Sequence, residues 1–221
     1  MEISKIIRSK RKTIALQIND DASLIVRVPF HASNEIVNRV ILKHKRWVER
    51  KRNELRSRNL RLTRKIYFSG DGFLFAGDYY QLKLVDHQDI PLIFEGAFYL
   101  SRKYLSRANQ VFTEWYRKKA YEKICERVMF FAQKRGLKHN KIKITSARRR
   151  WGSCSSQGNL NFSWRLIMAP LPVLDYVVIH ELVHLIEKNH SQTFWEKVML
   201  FMPGYEEQKN WLKKNGYLLR L

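Results

Sequence analysis

The sequence predicts an α+β protein with a β-rich N-terminal region that carries one helix, over residues 1–100, and a second domain over residues 101–221. Apolar residues alternate with polar ones between residues 14 and 28, which is typical of half-buried strands. Residues 102–135 repeat apolar side chains at a period near 3.6, which predicts a long buried helix. Further on, a HExxH pattern predicts a metal-site helix, which we expect to pack on a small antiparallel sheet.

The composition indicates a folded protein that favours polyanions. A chain of 221 residues with 45% hydrophobic and 13% aromatic residues can bury a real core. The 42 Lys and Arg against 20 Asp and Glu give a net charge of +22. Such a charge favours nucleic acid, an anionic membrane surface or acidic protein segments as partners, and solvated positive charge with no partner is the alternative.

The cysteines and the apolar runs indicate an intracellular location. Cys125 and Cys154 form no metal-binding pair, and two cysteines predict no disulfide framework. The N-terminus has no apolar run of signal-peptide length, and no stretch is long enough to span a membrane. We therefore expect a cytoplasmic protein with no membrane partner.

The first 65 residues predict a hairpin and then a basic helix. Asn19 begins the turn between the two alternating runs, and helical spacing follows over residues 33–57 with Ser33 or Asn34 as N-cap. The segment from Lys43 to Lys65 contains only two acidic residues and eleven basic ones: Lys43, Lys45, Arg46, Arg50, Lys51, Arg52, Arg56, Arg58, Arg61, Arg64 and Lys65. This segment is either a solvated helix face or a contact for the phosphates of DNA or RNA.

Two further stretches predict strands. Residues 66–100 are rich in aromatic strand formers and glycine turns, and we assign them to the N-terminal region. Residues 159–167 alternate apolar and polar side chains with the clearest period of two in the chain. We expect the second run to pack on a helix.

Proline at positions 170 and 172 is well tolerated in a first helical turn, so we expect the metal-site helix to begin there. The β-branched run at 177–179 locally favours a strand, but only a helix brings His180 and His184 to one face. Asn189 is a candidate left-handed stop, and Ser191 or Thr193 can cap the next helix.

Two histidines four residues apart on a helix can bind one tetrahedral metal ion. A catalytic zinc site usually has three protein ligands. His190 can supply the third if the chain turns after Asn189, whereas Glu187 lies on the same helix face as His184 and is the alternative. Of the two, His190 is favoured.

Glu181 is expected to act on water and not to bind the metal. A carboxylate within hydrogen-bond reach of metal-activated water can take its proton and pass that proton to the leaving amine of a peptide bond. A structural ion pair of Glu181 is the alternative interpretation. The pattern therefore predicts a peptidase. The second hypothesis is a nucleic-acid-binding protein in which the zinc ion only stabilises the C-terminal half.

Several motifs together resemble the YgjP-like family of bacterial zinc metallopeptidases, in the zincin group with SprT-like and WLM-type proteases. They are Arg150-Trp151-Gly152-Ser153-Cys154-Ser155, Gly158-Asn159-Leu160, the run from Leu174 to His184, Asn189-His190-Ser191, Phe194-Trp195 and Met202-Pro203. The resemblance covers roughly residues 140–215 closely and residues 1–100 more loosely. Glu187 stands where metzincins have glycine, which argues against that subgroup.

This resemblance implies a zincin-like C-terminal domain, Zn²⁺ held by His180, His184 and His190, and Glu181 as the catalytic acid and base. It also implies that extended substrate pairs with an edge strand above the metal helix, for which residues 159–167 are the candidate. SprT-like relatives include proteases that act on DNA-bound proteins, so a protease recruited to nucleic acid is a further alternative.

Overall fold

The computed structural model describes residues 2–19, 21–60 and 67–221. The chain forms two compact units, Met1–Lys65 and Ile66–Leu221. Residues 61, 64 and 65 of the predicted basic segment, and Ile66 of the strand predicted after it, lie outside the described residues. No helix of the described residues has the length and apolar character that crossing a membrane requires.

The first unit is a three-stranded sheet with two helices. Its strands are β1 (Lys5–Ser9), β2 (Ala15–Ile18) and β3 (Leu24–Pro29), in the order β1-β3-β2, with β1 parallel and β2 antiparallel to β3. The β2–β3 hairpin confirms the prediction from alternation.

One face of β3 supplies half of the core of this unit. Leu24, Val26 and Val28 alternate with half-exposed neighbours, as the period of a strand requires. They cluster with three buried residues of the helices: Val37, Ile41 and Val48.

The single helix expected over residues 33–57 is two helices. They are α1 (Asn34–Lys43) and α2 (Lys45–Leu60), and His44 between them has φ −103° and ψ 14°. The Ser33 hydroxyl accepts a hydrogen bond from the backbone N–H of Ile36 and caps α1.

The second unit begins with a four-stranded mixed sheet. It contains β4 (Gly72–Phe75), β5 (Asp78–Val85), β6 (Leu92–Phe94) and β7 (Phe98–Ser101), in the order β4-β5-β7-β6. Its aromatic side chains share one core with the long helix α3 (Ala108–Lys134), so these four strands pack with the rest of the second unit. The ring of Phe73, for example, stacks on that of Phe112 with centroids 4.2 Å apart.

A second sheet and three helices follow. The strands are β8 (Ile142–Thr145), β9 (Gly152–Cys154) and β10 (Leu160–Ser163), and the helices are α4 (Leu171–Val183), α5 (Gln192–Phe201) and α6 (Tyr205–Asn215). The sheet order is β8-β10-β9, with β8 parallel and β9 antiparallel to β10, so the sheet is mixed. The α+β class is as the sequence predicts.

The helix α4 is buried on almost every side, which overrides the strand propensity of residues 177–179. At its start, the β4–β5 turn is held against the chain that enters the helix: Ala76 N–H donates to Ile167 C=O and Gly77 N–H to Met168 C=O. Gly77 has φ +100°, and a Cβ there would lie 3.0–3.3 Å from Pro170, so the turn needs glycine.

The helix α3 packs against α4 and forms an ion pair with it. Arg127 donates from Nε and Nη2 to the two carboxylate oxygens of Asp175 at 2.6 and 2.8 Å. Burial raises the pKa of Asp175, and these two hydrogen bonds offset part of that shift. The helix that carries the histidines is thus fixed at its N-terminal turn and along its side.

Candidate metal centre

Three imidazoles from neighbouring elements converge at one point. His180 lies in the last turn of α4, His184 caps that helix, and His190 directly precedes the cap of α5. Nε2 of His190 lies 3.0 Å from Nε2 of His180 and 3.2 Å from Nε2 of His184. Within the described ranges, this is the one group of His, Cys, Asp and Glu arranged to hold a metal ion.

The spacing and the charge state of these rings fit zinc. Four ligands about 2.0–2.1 Å from an ion at tetrahedral angles lie roughly 3.3 Å from one another. Burial, with smaller effects of the other two histidines and Lys209, lowers the pKa of His180 to about 3. Burial likewise lowers the pKa of His190. The lowered pKa values of His180 and His190 favour neutral rings at pH 7, the state that binds metal.

The chain turn after α4 orients the second ring. Nδ1 of His184 donates to the backbone carbonyl of Glu187 at 2.9 Å, which leaves the Nε2 lone pair directed at the other two imidazoles. The helix ends at Val183, six residues before the expected stop at Asn189, which is not left-handed. This early end allows His190 to return to the group.

The carboxylate of Glu187, the alternative third metal ligand, is not part of the histidine cluster. It hydrogen-bonds to Nζ of Lys197 on α5, and the ring of His190 occupies the place beside His180 and His184. Glu187 contributes its backbone carbonyl to the centre, a contact that the sequence pattern did not indicate.

Glu181 lies beside the histidines in a buried position. Its side chain is 5% exposed, and Oε2 is buried with no hydrogen-bond partner among the described residues. Burial raises its pKa to about 8, and the positive charge of Arg150 offsets part of that shift. A buried, unpaired carboxyl is costly, so a functional partner is expected at this place.

Gly152 in β9 makes room for this carboxyl. A Cβ on Gly152 would lie 2.4 Å from Oε1 and 2.6 Å from Cγ of Glu181, closer than any side chain tolerates. The carboxyl of Glu181 can lie here only because residue 152 has no side chain. A glycine inside a strand was the available signal, because such a glycine often marks a close approach.

The strand proposed to bind substrate is not an edge strand. β10 lies between β8 and β9, so both of its edges are already paired and residues 159–167 cannot accept another strand. The period of two was correct over Leu160–Ser163, but the chain then forms a 3₁₀ helix over Trp164–Met168. The free edge beside α4 is β9.

The hydrogen-bond pattern shows which groups β9 presents. The N–H of Ser163 donates to the carbonyl of Trp151 at 2.8 Å, and the N–H of Ser155 donates to that of Asn159 at 2.9 Å. Because paired positions alternate along an antiparallel ladder, the backbone groups of Gly152 and Cys154 point away from β10.

Aromatic rings surround the histidines. The ring of Phe194 packs against all three imidazoles, with centroid distances of 4.9, 4.5 and 4.8 Å to His180, His184 and His190. Trp195 lies 5.8 Å from His180 and 5.7 Å from His190. Ser191 caps α5, so both aromatic residues lie in its first turn.

A pocket of about 300 Å³ opens beside the centre. Its lining residues are Trp151, Gly152, Tyr176, Val177, His180, Glu181, Lys209 and Leu212. Sequence reasoning did not assign a role to the aromatic and lysine members of this set. They come from three separate parts of the chain, and only the tertiary fold brings them together.

Two further residues near the centre have structural roles. Burial raises the pKa of the Cys154 thiol, which donates to the Ser155 carbonyl at 3.4 Å, and this disfavours the thiolate form that acts as nucleophile or metal ligand. Tyr205 is 6% exposed and stacks on Tyr176 and Trp195 with interplanar angles of 13° and 14°. Packing accounts for its position.

A buried carboxyl next to three converging histidines, two of which belong to the HExxH pattern, is typical of a metal-dependent hydrolase of the peptidase class. The comparison of the sequence with family models agrees with this class. The chain belongs to the YgjP-like metallopeptidase domain family, whose model matches residues 12–215. Membership of this family implies a divalent metal, typically zinc.

Two solved structures are similar to part of the chain. The crystal structure of the metallopeptidase zymogen of Pyrococcus abyssi abylysin is 21% identical, with a TM-score of 0.38, and covers 41% of this chain and 93% of that one. The crystal structure of the metallopeptidase zymogen of Methanocaldococcus jannaschii jannalysin is also 21% identical, with a TM-score of 0.37, and covers 43% of this chain and 96% of that one. No curated protein matches the chain.

Proposed function

We propose that this chain is a zinc-dependent peptidase in which His180, His184 and His190 hold the ion and Glu181 transfers the proton. The observation that supports this most strongly is the position of Nε2 of His190, 3.0 Å from that of His180 and 3.2 Å from that of His184, beside a carboxyl that is buried and unpaired among the described residues. A structural site has no use for such a carboxyl and normally fills all four positions with protein.

Zinc held by these three histidines would act as a Lewis acid that polarises a carbonyl and lowers the pKa of a water molecule toward roughly 7. Glu181 accepts a proton from the water as its oxygen attacks the peptide carbon, and returns that proton to the amine nitrogen as the C–N bond breaks. Gly152 keeps the carboxyl in place. The outward backbone groups of Gly152 and Cys154 pair with an extended peptide.

The test is Glu181→Gln in the zinc-loaded protein. This change keeps the shape and removes the proton acceptor, so we expect kcat/KM for peptide hydrolysis to fall about 10²- to 10⁴-fold. Zinc content and thermal stability stay close to those of the unchanged protein. Glu187→Gln is the matched control, since its carboxylate contacts Lys197, and it keeps most of the activity. Full hydrolysis by the Glu181 variant would exclude the proposed role.

A second function, binding of DNA or RNA phosphates by unit Met1–Lys65, is favoured by the surface of α2. Arg46 and Arg50 are exposed, lie four residues apart on one helix face, and flank Trp47, whose exposure is 38%. Arg52 is not available, because it donates to the backbone carbonyls of Ala22 and Glu2 at 3.0 and 2.8 Å.

Binding to a duplex DNA and to an unrelated RNA, measured against salt concentration, tests this function. We expect the triple variant Lys43→Gln, Arg46→Gln, Arg50→Gln to weaken binding for every sequence and to reduce the salt slope by about 2–3. The control removes the same charge from three exposed lysines of the other unit: Lys118, Lys138 and Lys213. Equal affinity of the two variants would argue against a role of α2.

A further inference from the structure

A lysine lies on the side of α6 that carries the two buried residues of this helix, although Lys209 itself is exposed. Tyr205, Lys209 and Leu212 follow one another at spacings of four and three, so they share one side of the helix. Tyr205 and Leu212 are buried with relative exposures of 6% and 8%. Tyr205 stacks on Tyr176 of α4, which turns this side toward the metal centre.

The ammonium group of Lys209 lies close to the histidines. Its Nζ is 3.8 Å from the centroid of the Trp195 ring and 5.8 Å from that of Tyr205. The same Trp195 ring lies within 5.8 Å of the rings of His180 and His190. The positive charge of Lys209 contributes to the lowered pKa of both histidines, which is a further sign of its proximity.

The pocket beside the centre has apolar walls and one permanent positive charge. Trp151, Tyr176, Val177 and Leu212 form most of its apolar lining, and Lys209 is the single lysine or arginine among the described residues that line it. Gly216 packs against Trp151, since a Cβ there would lie 2.8 Å from Cζ2 of the indole. The Trp151 side of the pocket is therefore packed against the chain at Gly216.

The charge of Lys209 has no acidic partner in the described part of the chain, where its contacts are the two aromatic rings. Lys197, which is also near the centre, is paired with Glu187. A solvent-accessible cation that lines an otherwise apolar pocket favours an anionic group of the ligand, and a carboxylate is the anion that peptides supply.

We propose that Lys209 binds a substrate carboxylate next to the scissile bond, either the side chain of Asp or Glu or the C-terminal carboxylate of the peptide. This inference rests on the proposed peptidase function and names its substrate class. Lys209 is a specificity residue, because it contacts the substrate away from the reacting atoms. If its role is only to pack on Trp195, a neutral side chain of the same length leaves substrate preference unchanged.

The experiment uses peptide hydroxamates, which bind zinc whether or not the protein hydrolyses peptides. Three compounds of otherwise identical sequence carry Glu with an amidated C-terminus, Gln with an amidated C-terminus, and Gln with a free C-terminus. Their affinities are measured by calorimetry for the zinc-loaded protein, for Lys209→Met and for the control Lys213→Met. Lys213 is exposed in the last turn of the same helix.

We expect one carboxylate compound to bind about 10- to 100-fold more tightly than the neutral compound, as a charge-assisted hydrogen bond allows. The preference is lost in Lys209→Met, is retained in Lys213→Met, and decreases as salt is raised. The compound that shows it identifies the source, side chain or terminus. Equal affinity of all three compounds, or a preference that survives Lys209→Met, overturns the inference.

The same measurement separates this inference from the peptidase proposal. The neutral hydroxamate reports on the metal centre alone, and hydrolysis by Glu181→Gln reports on the proton transfer. If the neutral compound binds and the carboxylate compounds bind with the same affinity, the proposed role of Lys209 is wrong while the peptidase proposal stands. If the neutral compound does not bind at all, the proposed metal centre is wrong, and the inference fails with it.

Discussion

The two units place their charges differently. Residues 1–65 carry 18 Lys and Arg against 6 Asp and Glu, and residues 66–221 carry 24 against 14. The buried charged side chains of the described ranges, Arg165, Asp175 and Glu181, all lie in the second unit. The comparison teaches that the density of surface charge and the burial of charge carry different information. Surface charge indicates the kind of partner, whereas a buried charge marks either a structural ion pair, as at Asp175, or the candidate site, as at Glu181.

Removal of one partner of the Arg127–Asp175 pair tests whether buried charge holds α4 in place. Both side chains are largely buried, with exposures of 18% and 12%, so Asp175→Asn leaves a guanidinium without a counter-charge. We expect a loss of about 3 kcal/mol in the free energy of unfolding, measured by urea denaturation. The control Glu122→Gln breaks an exposed pair with Lys119 and costs about 1 kcal/mol or less. Equal losses would contradict the comparison.

The close approach of Gly152 to Glu181 predicts a change in kcat/KM that is smaller in free energy than the loss of stability expected for Asp175→Asn. Gly152→Ala displaces the carboxyl, because the new Cβ meets Oε1 at 2.4 Å. We expect kcat/KM to fall about 10- to 100-fold while zinc content is unchanged, since a displacement of the order of 1 Å in a reacting group is sufficient for this. Ser153→Ala, the next position in β9, is the control and leaves kcat/KM near its original value.

The pH dependence of the metal-free protein tests the buried charges of the centre. His180, with a folded pKa of about 3 against 6.5 when unfolded, binds fewer protons in the folded state between those values, so stability rises with pH there. Glu181, with a folded pKa of about 8 against 4.5, binds more protons when folded, so its contribution falls as the pH rises from 4.5 to 8.

The two contributions cancel between pH 4.5 and 6.5, and above pH 6.5 the effect of Glu181 remains alone. Its slope is roughly 1.4 kcal/mol per pH unit. We expect urea denaturation of the metal-free protein to show this decline between pH 6.5 and 8, and Glu181→Gln to remove it. A decline of the same size in the variant would show that another group causes it.

Features set by local sequence were predictable. The β2–β3 hairpin, the long helix α3, the proline start of α4 and the Ser191 cap of α5 each depend on residues within a few positions of one another. The convergence of His190 with His180 and His184 was also expected, although the early end of α4 that permits it was not.

Features set by distant contacts were not predictable. Whether a strand is central or at an edge depends on its neighbours, so the position of β10 between β8 and β9 could not be read from its alternation. The strands β4 to β7 join the second unit through aromatic packing on α3. The place of Lys209 beside the histidines likewise depends on how α6 packs on α4.

Zinc content per chain in a zinc-buffered solution, for the unchanged protein and for His190→Ala, tests the central claim most directly. We expect about one zinc per chain. Loss of one of the three converging imidazoles should weaken binding strongly, while Glu187→Ala, which removes only a carboxylate bound to Lys197, leaves it nearly unchanged. Absence of zinc from the unchanged protein, or zinc binding that does not depend on His190, would contradict the account.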